Sequence, residues 1–309
     1  MTSFNRLATA NTYDNALRNI TQRQSALSGL QENLTSGKRV VRASDDPSSA
    51  AQAERALTRM SRIVTDQRAL ASQTDAIAIA ESTLGDVTNA LQSFRELVVS
   101  AGNGTFAQKD RQTVALQLQG LRDQIFGLSN TKDTNGQALF GALGSALAPF
   151  VEPPPAAYTF DGLPGQMSSN EVAIPFALDG DSAFMFDVSD GATSGSLFGA
   201  LDKAITDIGG ATTSAQGATA VSTALKDIDI GANRISAVRG QAGELLNRAD
   251  RISTNQDKRS RQLEPDRSRV EVPVMVKGIA DFQNQQTGYQ AALQSYAQMQ
   301  KLSLFNYIG

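Results

Sequence analysis

The stretch from Met275 to Gly309 decides the fold: MVKGIADFQNQQTGYQAALQSYAQMQKLSLFNYIG. Large side chains recur at Met275, Ile279, Phe282, Tyr289, Leu293 and Tyr296, and Gln286 and Gln300 occupy the remaining slots. The steps alternate four and three residues, which is a heptad seam on a helix. Such a seam cannot bury itself, so it requires a partner helix. The first 34 residues supply a match. Tyr13, Ile20, Leu27 and Leu34 are spaced by seven, with Leu17, Gln24 and Gln31 at the companion positions. A chain with seams at both ends reads as one that polymerises.

Working inward, Ser44-Asp45-Asp46-Pro47 is a helix start: Asp46 can cap, and Pro47 suits the first turn, where a missing N–H costs nothing. Ile63, Leu70, Ile77, Leu84, Leu91 and Val98 then lie seven apart, with Ala80, Val87, Phe94 and Ala101 as a second row. Gly102-Asn103-Gly104-Thr105 ends that helix. A third helix starts near Ala107 with the stripe Val114, Leu118, Leu121, Ile125 and Leu128. Asp133-Thr134-Asn135-Gly136 closes it in a tight hairpin leading to Ala138–Phe140. Between about 141 and 210 prolines break any helix. Ala156–Phe160, Val172–Leu178 and Ala183–Val188 read as short strands, followed by one amphipathic helix on Leu197, Leu201, Ile205 and Ile208 and a loop over Gly209–Gly217. A last long helix begins near Ala218 on the seam Val221, Leu225, Ile228, Ala232, Ile235, Ala242, Leu246 and Ala249. If it reaches Leu263 it is roughly 70 Å long. Pro265 and Pro273 are expected to interrupt it before the terminal heptads.

The bulk composition excludes several functions. The 309 residues carry a net charge of -3, so neither nucleic acid nor an acidic membrane is an expected partner. Cys and His are both absent, which removes disulfides, thiolate metal sites and the usual general acid–base residue. No stretch of 18 apolar residues could span a bilayer, and the N-terminus lacks the apolar region of a cleavable signal peptide. Asp179-Gly180-Asp181 lacks the downstream Glu of a calcium loop and reads as a hairpin turn. Asn19-Ile20-Thr21, Asn33-Leu34-Thr35 and Asn103-Gly104-Thr105 match the glycosylation tripeptide only by chance. Pro153–Pro155 reads as a stiff linker. No phosphate-binding glycine loop is present.

Three segments in order, Leu34–Pro47 (LTSGKRVVRASDDP), Ala101–Gly141 and Lys301–Ile308 (KLSLFNYI), resemble the bacterial flagellar hook-associated proteins of the hook–filament junction, relatives of flagellin. The likeness covers both flanks but not the middle. Flagellins share the Ser-Gly turn near Gly37 but typically lack the Asp-Asp-Pro start and the Leu-Phe-x-Tyr ending. Relatives also tend to carry an acidic, helix-compatible stretch before the terminal heptads. Here it reads Arg269-Val270-Glu271-Val272-Pro273-Val274, which points to a hinge.

The expected fold is mainly α: an elongated bundle of long helices with a small β-rich insertion, and terminal helices that order on assembly. Residues 1–45 and 266–309 would form a coiled-coil assembly domain, 46–140 and 210–265 a helical rod, and 141–209 the insertion. The expected assembly interface is Tyr13, Leu17, Ile20, Leu27, Leu34, Ile279, Phe282, Tyr289, Leu293, Tyr296, Leu304 and Phe305. The resemblance implies a structural protein without catalytic residues, cofactor or metal, exported by the flagellar type III apparatus to the extracellular flagellum. It implies a ring of subunits between a hook-associated neighbour and flagellin. The apolar C-terminal stripe would engage an export chaperone before assembly. Other readings of the residues are a flagellin subunit, a fibrous adhesin with a ligand-binding insertion, and a His-free enzyme with its site in 141–210.

Overall fold

The computed structural model describes residues 3–143, 148–152, 158–163, 174–186, 195–272 and 275–308, with only the backbone described at 3–10, 12 and 301–308. The described chain is mainly helical: α1 (Ser3–Ser36), α2 (Pro47–Ala101), α3 (Gln108–Ser129), β1 (Phe150–Val151), β2 (Thr159–Phe160), α4 (Gly180–Phe184), α5 (Leu197–Gly210), α6 (Ser214–Glu271) and α7 (Met275–Ile308). It divides into two compact units, residues 1–64 with 257–309, and residues 65–256.

In the unit 65–256 the seam read from sequence is the core. Ile77, Leu84, Leu91 and Val98 of α2 are buried, with Ala80, Val87, Phe94 and Ala101 beside them. The α6 segment lies antiparallel to α2, tied by Arg239 to Glu81 at 2.6 Å and by Arg95 to Asp229 at 3.3 Å. Its deep row, however, is Ala224, Ile228, Gly231, Ile235, Val238, Ala242, Leu245 and Ala249. Leu225, Ala232 and Leu246 flank it half-buried. At Gly231 no side chain fits, since a Cβ there would lie 2.7 Å from Leu197 Cδ1.

The helix α3 starts as expected, with the Asp110 carboxylate accepting from the Ala107 N–H at 2.9 Å, and its Val114, Leu118 and Ile125 are buried. The Asn-Gly turn is present too. Gly136 has φ +81°, a left-handed value that glycine adopts without strain. Asp133 Oδ1 accepts from the N–H groups of Asn135 and Gln137 at 2.8 and 2.7 Å.

Four local expectations are corrected. First, Gly209–Gly217 is not one loop, because α5 runs to Gly210 and α6 begins at Ser214. The Gln216 side chain accepts from Thr212 and Thr213 N–H while Thr213 Oγ1 accepts from Gln216 N–H, a reciprocal cap that extends the helix N-terminally. Second, Asp179-Gly180-Asp181 is no hairpin turn. Asp179 caps α4, accepting from Asp181 N–H and Ser182 Oγ, so Ala183–Phe184 of the expected strand Ala183–Val188 are helical. Third, Ile174–Leu178 forms no strand, although Leu178 N–H reaches Leu139 O at 2.8 Å. Of Ala156–Phe160 only Thr159–Phe160 is a strand, paired antiparallel to β1; residues 156–157, 172–173 and 187–188 lie outside the described residues. Fourth, Pro265 does not stop α6. Arg267 binds Glu264 at 2.7 Å and Glu271 at 3.1 Å, and these contacts hold the turns around it. The helix ends at Glu271, two residues before Pro273.

Phe126, Phe140, Phe150, Tyr158, Phe184 and Phe198 form one ring cluster with centroid separations of 5.1–5.9 Å. The small strands and α4 therefore share a core with α3 and α5.

Candidate assembly interface

In the unit 1–64 with 257–309, α1 and α7 form an antiparallel pair. Tyr13 meets Tyr296, with ring centroids 5.2 Å apart and a hydrogen bond from Tyr296 Oη to Tyr13 Oη. Gln300 donates to Tyr13 Oη at 3.3 Å. Farther along, Arg23 lies against Gly288, and Leu34 against Gly278, where an added Cβ would sit 3.1 Å from Leu34 Cδ2. The seam is thus half in the expected place. Ile20, Leu27 and Leu34 are half-buried, as are Phe282, Tyr289 and Tyr296, while Tyr13 at the far end remains largely exposed.

The second row on each helix differs from the one expected. Ala16, Arg23 and Leu30 on α1, and Gly278, Gln285 and Ala292 on α7, are the half-buried companions. Glycine and alanine here let the backbones approach. Leu17, Ile279 and Leu293 are 47%, 45% and 40% exposed. They stand on a neighbouring row, about 80° round each helix from the contact line. Because the helices run antiparallel, the same sense of rotation carries both rows to one side of the pair. That side presents Leu17, Gln24 and Gln31 from α1 and Ile279, Gln286, Leu293 and Gln300 from α7, none of them ionisable. The next row out carries Thr21, Ser28 and Thr35, with a charge only at Asp14, and Gln283, Gln290 and Ala297 on α7. The side chains of Leu304 and Phe305 lie outside the described residues.

Sequence reasoning missed the polar contacts at the base of this pair, where Lys38 and Arg39 reach Glu271. Only the basic pair after Gly37 and the acidic Glu271 before Pro273 hinted at them. Among the described residues no group of acidic side chains could hold a metal, and no helix is long and apolar enough to cross a membrane.

The flagellin N-terminal helical region matches residues 7–144. The flagellar hook-associated protein 3 of Escherichia coli K12 is 30% identical over 328 aligned residues, spanning 97% of this chain and 98% of that protein. The chain belongs to the hook-associated protein 3 family. The Salmonella typhimurium member is 28% identical across the same shares of both chains. By contrast, Escherichia coli flagellin matches at 32% over only 41% of this chain and 26% of its own length. This is a hook-associated junction protein of the extracellular flagellum, structural and not enzymatic, and its likeness to flagellin is confined to part of both chains. Solved structures share its fold. A Vibrio parahaemolyticus flagellar hook-associated protein gives a TM-score of 0.65 at 19% identity, covering 74% of this chain and 99% of its own. The junction protein FlgL of Legionella pneumophila gives 0.56 at 18%, covering 64% and 98%.

Proposed function

We propose that this hook-associated protein joins hook to filament as a ring whose subunits meet through the uncharged side of the α1–α7 pair. The observation that carries the reading is the row Leu17, Ile279 and Leu293, exposed and free of charged neighbours in its own row. Interface centres are depleted of charge in this way. Only Lys277, Asp281 and Lys301 are charged in the 34 residues of α7, far fewer than a permanently solvated helix carries. The seam holds Arg23 and Gln285 and has no deep core, so ordering its residues at roughly 1–2 kcal/mol each leaves little surplus without neighbours. The helices gain the rest on assembly. A hook-associated protein on one side and flagellin on the other complete the junction, and a helix-groove export chaperone covers the α7 stripe beforehand.

The chain has no cysteine, so single introduced thiols report cleanly. Flagella carrying Leu17→Cys or Leu293→Cys should yield covalent dimers with a short bis-maleimide. Asn19→Cys, off that side of α1, should not. Dimers from Asn19→Cys alone would refute the assigned face.

A further inference from the structure

We propose that Arg39, with Lys38 and Glu271, forms a latch that makes the two chain crossings at the base of the α1–α7 pair open and close as one joint. The first crossing runs from Gly37, whose φ of +67° turns the chain out of α1, to Asp46 at the start of α2. The second is the break between Glu271 and Met275. They are 231 residues apart in sequence, yet one side chain binds both. The Arg39 guanidinium donates to Asp46 Oδ2 at 3.2 Å and Ser49 Oγ at 2.8 Å on the α2 side, and to the Val270 carbonyl at 2.9 Å on the α6 side.

The backbone repeats the connection. Arg39 N–H donates to the Glu271 carbonyl at 2.6 Å. The last carbonyls of a helix have no intrahelical donor, and α6 receives two of its donors from this one residue. Glu271, 8% exposed, is held from both sides: Lys38 Nζ lies 2.5 Å from Oε1, and Arg267 lies 3.1 Å from Oε2. A positive group at a helix C-terminus is also favoured by the helix dipole. A planar fork reaching three acceptors in fixed directions is a property of arginine that lysine lacks.

Separately, each crossing would be a weak point. The first is a ten-residue irregular loop, and the second follows the last turn of α6. Bound together, they restrain rotation of α1 and α7 about the ends of α2 and α6. The base of the pair is then ordered first, and order spreads from Leu34 and Gly278 towards Tyr13 and Tyr296.

Amide hydrogen exchange on the full chain tests this, and it needs no assembled partner. In Arg39→Ala, exchange should quicken roughly tenfold at 38–46 and equally at 270–272, with Leu118–Ile125 unchanged. Arg39→Lys, which keeps the charge but not the fork, should quicken both crossings by a smaller, matched factor. A rise confined to 38–46 in either variant, or no rise at all, overturns the latch.

Discussion

Arg122 shows how much one residue can organise. It lies 9% exposed on α3. Its Nε donates to Asp202 on α5 at 2.8 Å and its Nη2 reaches Glu152 at 2.9 Å, while Tyr158 Oη takes a further bond. The guanidinium also sits 5.5 Å from the Phe126 ring centroid and 5.3 Å from that of Tyr158. Three parts of the chain that are distant in sequence converge there: α3, the segment from Glu152 to Tyr158, and α5. Removing it would leave Asp202 without its cation. Such a loss costs about 3–5 kcal/mol when the pair is fully buried. Asp202 keeps 34% side-chain exposure, so Arg122→Ala should cost about 2–3 kcal/mol, read as a lowered melting temperature. Asp202 adds a pH signature. Burial lifts its carboxyl above the usual carboxylate range, against the pull of Arg122. The folded state therefore holds the proton more tightly than the unfolded one. Stability should rise as pH falls through the range just above the ordinary carboxylate value. Asp202→Asn should lose that slope in denaturant titrations run at successive pH values.

Elements were legible where large side chains and strong caps agree. The α2 row from Leu70 to Val98, the Asp46-Pro47 start and the Asn135-Gly136 turn all stand where the sequence places them. What misled was size. On α1, α6 and α7 the bulky companions Leu17, Leu225 and Ile279 point to one row, whereas the structure uses Ala16, Ala224 and Gly278. Close helix approach selects small residues, and a count of bulky ones lands one row away. The α4 cap was hidden because Asp-Gly-Asp serves turns and helix starts equally. The latch was hidden because carbonyl acceptors leave no trace in residue types. Pro265 misled in the opposite direction, since α6 passes through it. A proline inside a helix leaves the carbonyl four residues earlier, here Arg261, without its donor. Pro265→Ala should therefore slow amide exchange over 261–271, with no change in the unit 65–256. Unchanged exchange there would mean that the flanking Arg267 contacts already hold the turn fully.

For the whole molecule, the question is which surface is structural and which is social. The hook-associated relatives match over 97% of this chain. Within the terminal pair the two roles separate by row. Phe282 and Tyr289 are half-buried against α1, whereas Leu17, Ile279 and Leu293 face outward. Two sets of charge substitutions divide the roles. Phe282→Asp with Tyr289→Asp places unpaired carboxylates inside the α1–α7 contact, where desolvation is expensive. That variant should lose both the pairing and the assembly, with faster amide exchange along α1 in the free chain. Leu17→Asp with Ile279→Asp and Leu293→Asp places the same charge on already solvated positions. The free chain should then unfold at the normal temperature and keep α1 as protected as before. Junction assembly should still fail, with motility lost and flagellin released into the medium. Normal motility in this second variant would show that the outward row meets no neighbour, and that the seam itself must open to make the ring.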